Sequence, residues 1–213
     1  FPLVINAKCI TNLARVSGSI SFFIPLATAF DRPFKSSFRL SSKFFSKSVL
    51  SILLLLIRCY PTYNLNYKSK ILDIGCGKGY LLHEIKLLIP NINIVGLDFS
   101  EYGLTNAKDE IKHFLSKHKA ENKFPYKNKE FDLVVSLGAF HNLRLPELKI
   151  ALDEMERVGK QGYLMLESYR NEQELFNLQC WALTAESFFD EDEWVWIYNN
   201  FGYKGDYEFI YFS

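Results

Sequence analysis

The chain has 213 residues, 48% of them hydrophobic, 16% aromatic and 23% charged, with a formal net charge of +1. That composition supports a sizeable buried core and excludes a chain that is disordered throughout. There is no apolar run of about 18 residues, which argues against an ordinary membrane-spanning helix.

The length fits one domain with an appendage. Four cysteines, Cys9, Cys59, Cys76 and Cys180, lie far apart with no CxxC pair. Neither a disulfide framework nor a metal site is expected from them, and the reducing cytosol is the expected compartment.

The small net charge conceals two halves of opposite sign. Residues 1–69 hold nine Lys/Arg and one acid, Asp31, whereas residues 70–213 hold sixteen Lys/Arg and twenty-three acids. An acidic second part is ill suited to gripping a phosphate backbone, so no nucleic-acid partner is expected. Residues 1–50 form an atypical basic, Ser-rich segment, and position 1 is Phe. Three readings of it stand. Lys8 and Arg15 followed by Ile20–Leu26 and Ala27-Thr28-Ala29 imitate a secretion signal, and the Arg/Ser-rich, acid-poor composition imitates an organelle transit peptide. The third is an atypical start with misassigned boundaries. Val49–Ile57 is too short to span a bilayer and reads as a buried helix ahead of the first strand. Residues 51–213 are expected to form the main domain.

From Lys70 the pattern becomes regular. Lys70–Ile74 reads as a strand. Tyr80–Leu88 reads as a helix, with Leu81, Leu82, Ile85 and Leu88 at helical spacing. Ile92–Leu97 is a β-branched second strand. Ser100 caps a helix expected from Glu101 to about Lys117. Phe131–Ser136 is a strand, Pro146–Val158 a helix and Gly162–Leu166 a strand. A helix over Asp190–Phe201 and a closing strand over Tyr207–Phe212 complete the series. Strands alternating with helices at this spacing predict a doubly wound, mostly parallel α/β sheet of Rossmann-like type, a single domain with an atypical N-terminal helical extension.

The stretch Asp73-Ile74-Gly75-Cys76-Gly77-Lys78-Gly79-Tyr80 carries the most chemistry. A strand runs into three alternating glycines and then a helix. Glycine permits positive φ and leaves the backbone bare for a ligand, and the helix start presents unpaired N–H groups. Asp98 follows at the end of the second strand, where an acid accepts hydrogen bonds from ribose hydroxyls. Together these make a nucleoside-binding geometry. A dinucleotide loop would read GxGxxG. Here the third glycine comes one residue early, bulky Tyr80 takes the final position, and Asp73 adds a negative charge unfavourable to pyrophosphate. An NAD(P)-dependent oxidoreductase is therefore the disfavoured alternative, and a non-catalytic nucleoside-binding module is the other.

On these residues the chain resembles the class I S-adenosylmethionine-dependent methyltransferases, whose first motif is an acid, one residue, then GxGxG. Further matches are Phe124-Pro125-Tyr126 with Glu130-Phe131-Asp132-Leu133-Val134, and Glu154-Met155-Glu156-Arg157-Val158-Gly159-Lys160. His141-Asn142-Leu143 and Glu167-Ser168-Tyr169-Arg170-Asn171-Glu172 resemble a little-characterised bacterial branch of the family. The resemblance covers about residues 70–170. It implies S-adenosylmethionine as cofactor, with Asp73 and the loop facing its methionine part and Asp98 holding the ribose. The implied cofactor-binding set is Asp73, Gly75, Cys76, Gly77, Gly79, Asp98, Phe99, Ala120 and Ser136. Two departures stand out. Lys119-Ala120 replaces an Asp-Ala pair that contacts adenine in many members, leaving that contact to the Ala120 backbone. One closing strand stands where the family usually has two.

Methyl transfer needs proximity and alignment of the acceptor, and a hydroxyl acceptor gains from a general base. Open sheets bind ligands at the C-terminal ends of their strands. That rule selects His141, Glu167 and Tyr169 as candidate catalytic residues. Each also has an ordinary reading, as a loop-packing histidine, a salt-bridging carboxylate or a surface tyrosine. Residues 171–189 look like an insertion over the site, where Asn177, Trp181, Thr184 and Glu186 suit a sugar or polar metabolite. Trp181 as a core residue of a packed helix is the competing reading, and Cys180 is expected in the core. The expectation is methyl transfer to a small or medium polar acceptor by a cytoplasmic protein without a stable membrane span.

Overall fold

The computed structural model describes residues 63–212. The basic segment 1–50 and the helix expected over Val49–Ile57 lie outside the described residues.

Six strands form one wholly parallel sheet: β1 (Lys70–Ile74), β2 (Asn93–Asp98), β3 (Leu115–Lys117), β4 (Leu133–Leu137), β5 (Gly162–Glu167) and β6 (Asp206–Ile210). Their spatial order is β3-β2-β1-β4-β5-β6. The order reverses between β1 and β4, so the crevice at their C-terminal ends is where such a sheet binds ligands. The central strands read as continuous apolar runs because both faces are covered. Ile71, Leu72, Leu133, Val134, Val135, Leu164 and Leu166 are all buried, whereas β6, at the edge, is half-exposed.

Helix α1 (Tyr80–Leu88) starts directly from the glycine loop. Two short helices follow β2, α2 (Glu101–Thr105) and α3 (Asp109–Lys112), and a longer one, α4 (Leu145–Val158), links β4 to β5. The single helix expected from Glu101 to about Lys117 is thus corrected. It breaks into α2 and α3, and its Ser100 cap is kept, with the Ser100 hydroxyl accepting the Gly103 amide at 3.2 Å. The reason is tertiary. Leu115 pairs with Gly96 in the sheet, and its side chain packs in the space that a Cβ on Gly96 or Gly79 would need. Filling those gaps requires an extended chain at Leu115 and ends the helix early.

Helix α4 turns Leu148, Ala151, Leu152, Met155 and Val158 inward. It also clamps the chain entering β4. The Glu154 carboxylate accepts the Phe124 amide and the Nε and Nη2 donors of Arg157, each at 2.6 Å. Arg157 in turn donates to the carbonyls of Tyr126 (2.8 Å) and Phe124 (3.0 Å). Two motif segments distant in sequence are therefore one structural joint.

Helices α5 (Glu172–Trp181) and α6 (Glu191–Phe201) precede β6 in the chain. Asp190 caps α6 by accepting the Glu193 amide at 2.9 Å, and Trp194, Ile197 and Tyr198 bury its inner face. Cys180 is exposed on α5, correcting its expected place in the core. Among the described residues no helix is long and apolar enough to cross a membrane, and no cluster could hold a metal ion.

Candidate functional site

The turn after β1 is built by glycine. Gly75, Gly77 and Gly79 have φ of 77°, 54° and 70°, the left-handed region that L side chains avoid. The amides of Gly75 and Cys76 both donate to the Leu97 carbonyl, at 2.7 and 3.1 Å, which anchors the loop to the end of β2. A Cβ at Gly75 would collide with that of Ala139, whereas one at Gly77 would meet nothing within 4 Å. The Gly77 backbone therefore borders open space. Gly103 lies close beneath it, since a Cβ there would sit 3.1 Å from the Gly77 carbonyl. This close approach was missed in the sequence, although a glycine inside a short helix was its signal.

Asp98 closes the other side. One carboxylate oxygen accepts the Gly77 amide and the other accepts the Ser100 amide, both at 2.7 Å. A carboxylate has about four acceptor positions, so two remain for hydroxyl donors. Asp73 is 3% exposed, and no side-chain hydrogen bond reaches it among the described residues. Burial pushes its carboxyl up to about 7, and the neighbouring Asp98 charge adds to the rise. A cation placed beside Asp73 would reverse that penalty.

The remaining cofactor candidates divide by position. The Cys76 side chain turns under the loop toward the position of Gly96, and burial, with the charges of Asp73 and Asp98, pushes its thiol up. Only its backbone faces the turn. Phe99 is 67% exposed just beyond Asp98. Ala120 is half-buried at the edge of the core, two residues after His118, whose amide donates to the Asp98 carbonyl at 2.9 Å. Ser136 is fully buried, and its hydroxyl donates to the Ile74 carbonyl at 2.9 Å. It ties β4 to the start of the loop.

The ends of β4 and β5 bring together two of the three catalytic candidates. His141 lies in a single 3₁₀ turn, Phe140–Asn142, and Glu167 ends β5. The His141 Nδ1 and a Glu167 carboxylate oxygen are 2.5 Å apart, with side-chain exposures of 7% and 2%. For Tyr169, burial raises the hydroxyl pKa, and the charges of Glu193 and Asp190 at the start of α6 add to the rise. Gly138, missed in the sequence, makes the pair possible. Its φ is +59°, and a Cβ there would come 2.8 Å from a Glu167 carboxylate oxygen.

A strap crosses the same loop. The amides of Glu186 and Ser187 donate to the His141 carbonyl at 2.9 and 3.0 Å. Thr184 donates to the Asn142 side chain at 2.7 Å, and Ser187 to the Leu143 carbonyl at 2.6 Å. Trp181 is 56% exposed, so it is not a core residue, and its ring stands edge-on to His141 at 6.4 Å.

The residues present fit the nucleoside sulfonium that the loop motif implies. An unpartnered buried carboxylate suits its positive charges, Asp98 has capacity for ribose, and the glycine turn leaves room for close approach. Residues 65–202 match the family described as the methyltransferase domain. The chain is 30% identical over 111 residues to ribosomal RNA small subunit methyltransferase C of Buchnera aphidicola, covering 48% of this chain and 30% of that one. It is 27% identical over 110 residues to malonyl-[acyl-carrier protein] O-methyltransferase of Bacillus cytotoxicus, covering 48% and 36%. The chain thus spans about a third of the length of these relatives. The YcgJ protein of Bacillus subtilis shares the fold with a TM-score of 0.58 at 18% identity, over 72% of this chain and 68% of that one. Motif, sheet order and family match converge, and the chain belongs to the class I S-adenosylmethionine-dependent methyltransferase family.

Proposed function

We propose that this protein transfers a methyl group from S-adenosylmethionine to a small or medium polar acceptor such as a sugar or other hydroxylated metabolite. The observation that carries the acceptor class is the site's lining. A buried histidine–carboxylate pair has an exposed tryptophan at its edge, and a strap is hydrogen-bonded to the His141 loop. Polar anchors among aromatic walls suit compact polar molecules. The acidic balance of residues 70–213 supports the same reading against a polyanion.

Asp73 would face the cationic methionine end of the cofactor, the Gly75–Gly79 turn its backbone-contacting surface, and Asp98 its ribose. When bound, the sulfonium supplies an activated methyl group. The protein's own part is to hold the acceptor in line, since positioning supplies much of the rate in such a transfer. The need for a cytosolic cofactor pool supports a cytoplasmic location.

One relative is named for ribosomal RNA, which makes RNA the rival acceptor. The test offers tritiated S-adenosylmethionine with two substrates, a small-metabolite extract and ribosomal RNA. Label in the metabolite fraction is expected. Label on RNA would overturn the acceptor class, and failure to bind S-adenosylhomocysteine would overturn the reading as a whole.

A further inference from the structure

We propose that His141 is the proton acceptor of the site through its Nε2, that Glu167 is its positioning residue, and that the methyl acceptor is therefore a hydroxyl. This rests on the methyl-transfer reading above and deepens it.

Sequence position makes Glu167 as good a candidate for the base as His141. Its surroundings assign it a different task. Its side chain is 2% exposed, at the buried end of β5, and one oxygen is committed to the His141 Nδ1. The other lies against Gly138, where even a methyl group would intrude. A carboxylate enclosed in this way has little reach toward a substrate proton. It accepts from Nδ1–H, which fixes the imidazole tautomer and leaves Nε2 with its lone pair. Among the described residues no hydrogen-bond partner occupies Nε2.

The loop that carries the ring is also held from outside. The His141 carbonyl receives two amides from residues 186 and 187, and Trp181 stands at the ring's edge. Gly138 with positive φ, the 3₁₀ turn and the strap together hold one histidine in one orientation. A loop-packing histidine needs none of these. The arrangement is that of a base held by a third group, in which orientation and tautomer are set before substrate arrives.

The chemistry then selects the acceptor. A hydroxyl is a weak nucleophile that gains from losing its proton as it reacts. The acceptor oxygen forms its bond to the methyl carbon, the carbon–sulfur bond breaks with its electron pair passing to sulfur, and the hydroxyl proton passes to Nε2. The sulfonium charge disappears and an imidazolium charge appears beside Glu167, which stabilises it.

Three measurements test this on the full chain. Calorimetry with S-adenosylhomocysteine comes first. Binding by the wild type, kept within about threefold in His141→Ala and Glu167→Gln, shows that the cofactor site is intact and the variants are folded. Loss of binding in the wild type would sink the underlying methyltransferase reading instead. Second, ¹⁵N NMR of the S-adenosylhomocysteine complex reads the His141 tautomer. A protonated Nδ1 with bare Nε2 is expected, and Glu167→Gln should disturb it. An Nε2–H tautomer in the wild type overturns the proposal.

Third, tritiated S-adenosylmethionine is offered with a pool of sugars, polyols and phenols, and separately with a pool of primary amines. Label should enter the hydroxyl pool. His141→Ala should lower kcat by about 10²–10⁴-fold, and Glu167→Gln by less, with KM little changed. Label in the amine pool alone, label in neither pool while the cofactor analogue binds, or hydroxyl labelling that survives His141→Ala each overturn it.

Discussion

The Asp98 carboxylate accepts the Gly77 amide at 2.7 Å, so the acid at the end of β2 holds the glycine turn in addition to the ribose contact proposed for it. The first prediction follows from this double task. Asp98→Ala removes acceptors for two amides and costs about 1.5–3 kcal/mol of stability, the scale of hydrogen bonds to a charged group. It also weakens S-adenosylhomocysteine binding. Urea unfolding and calorimetry check the two effects separately. A variant that loses affinity with unchanged stability would show that the Gly77 bond contributes nothing to the fold.

Gly77 borders open space at φ +54°, so its replacement tests the loop without a steric clash inside the protein. Gly77→Ala should cost roughly 1–2 kcal/mol through left-handed backbone strain. Gly77→Val adds a branched side chain in the ligand's space and should abolish measurable binding of S-adenosylhomocysteine. Calorimetry on folded protein is the check, and unchanged affinity in the valine variant would remove the loop from the cofactor site.

Asp73 makes the stability of the unliganded protein depend on pH in a direction opposite to that of a salt-bridged acid. Its carboxyl rises from an ordinary 3.8 to about 7 on folding, chiefly through burial. The folded state therefore holds more protons than the unfolded one between those values, and stability falls as pH rises through that window. Asp73→Asn should flatten the fall and melt above the wild type at pH 7, while binding S-adenosylhomocysteine less tightly. A pH series of thermal melts decides it, and an unchanged slope would show that Asp73 is not the source.

Arg157 joins α4 to the chain entering β4 through Glu154 and two carbonyls. Lysine keeps the charge but lacks the planar fork. Arg157→Lys should lose roughly 1–3 kcal/mol in urea unfolding, with cofactor affinity unchanged because the joint lies away from the glycine turn. Wild-type stability in the variant would mean that the Glu154 and carbonyl contacts are dispensable.

Local pattern was enough to read much of this protein. Helix α1 occupies the expected Tyr80–Leu88, and β1, β5 and α6 fall within a residue of their expected bounds, because strong periodicity and capping signals do not need distant partners. The glycine turn and Asp98 were legible for the same reason, since positive φ and strand-end position are local properties. What sequence could not decide was pairing. Leu115 became a strand because Gly96 and Gly79 leave room for its side chain. Glu167, one of the three catalytic candidates, is a buried partner to His141, 26 residues earlier. Tyr169, two residues on, is exposed to the charges of Glu193 and Asp190 at the start of α6. Each of these outcomes depends on which side chains the parallel sheet sets next to one another, and burial, reach and hydrogen-bond partners exist only once that sheet has formed.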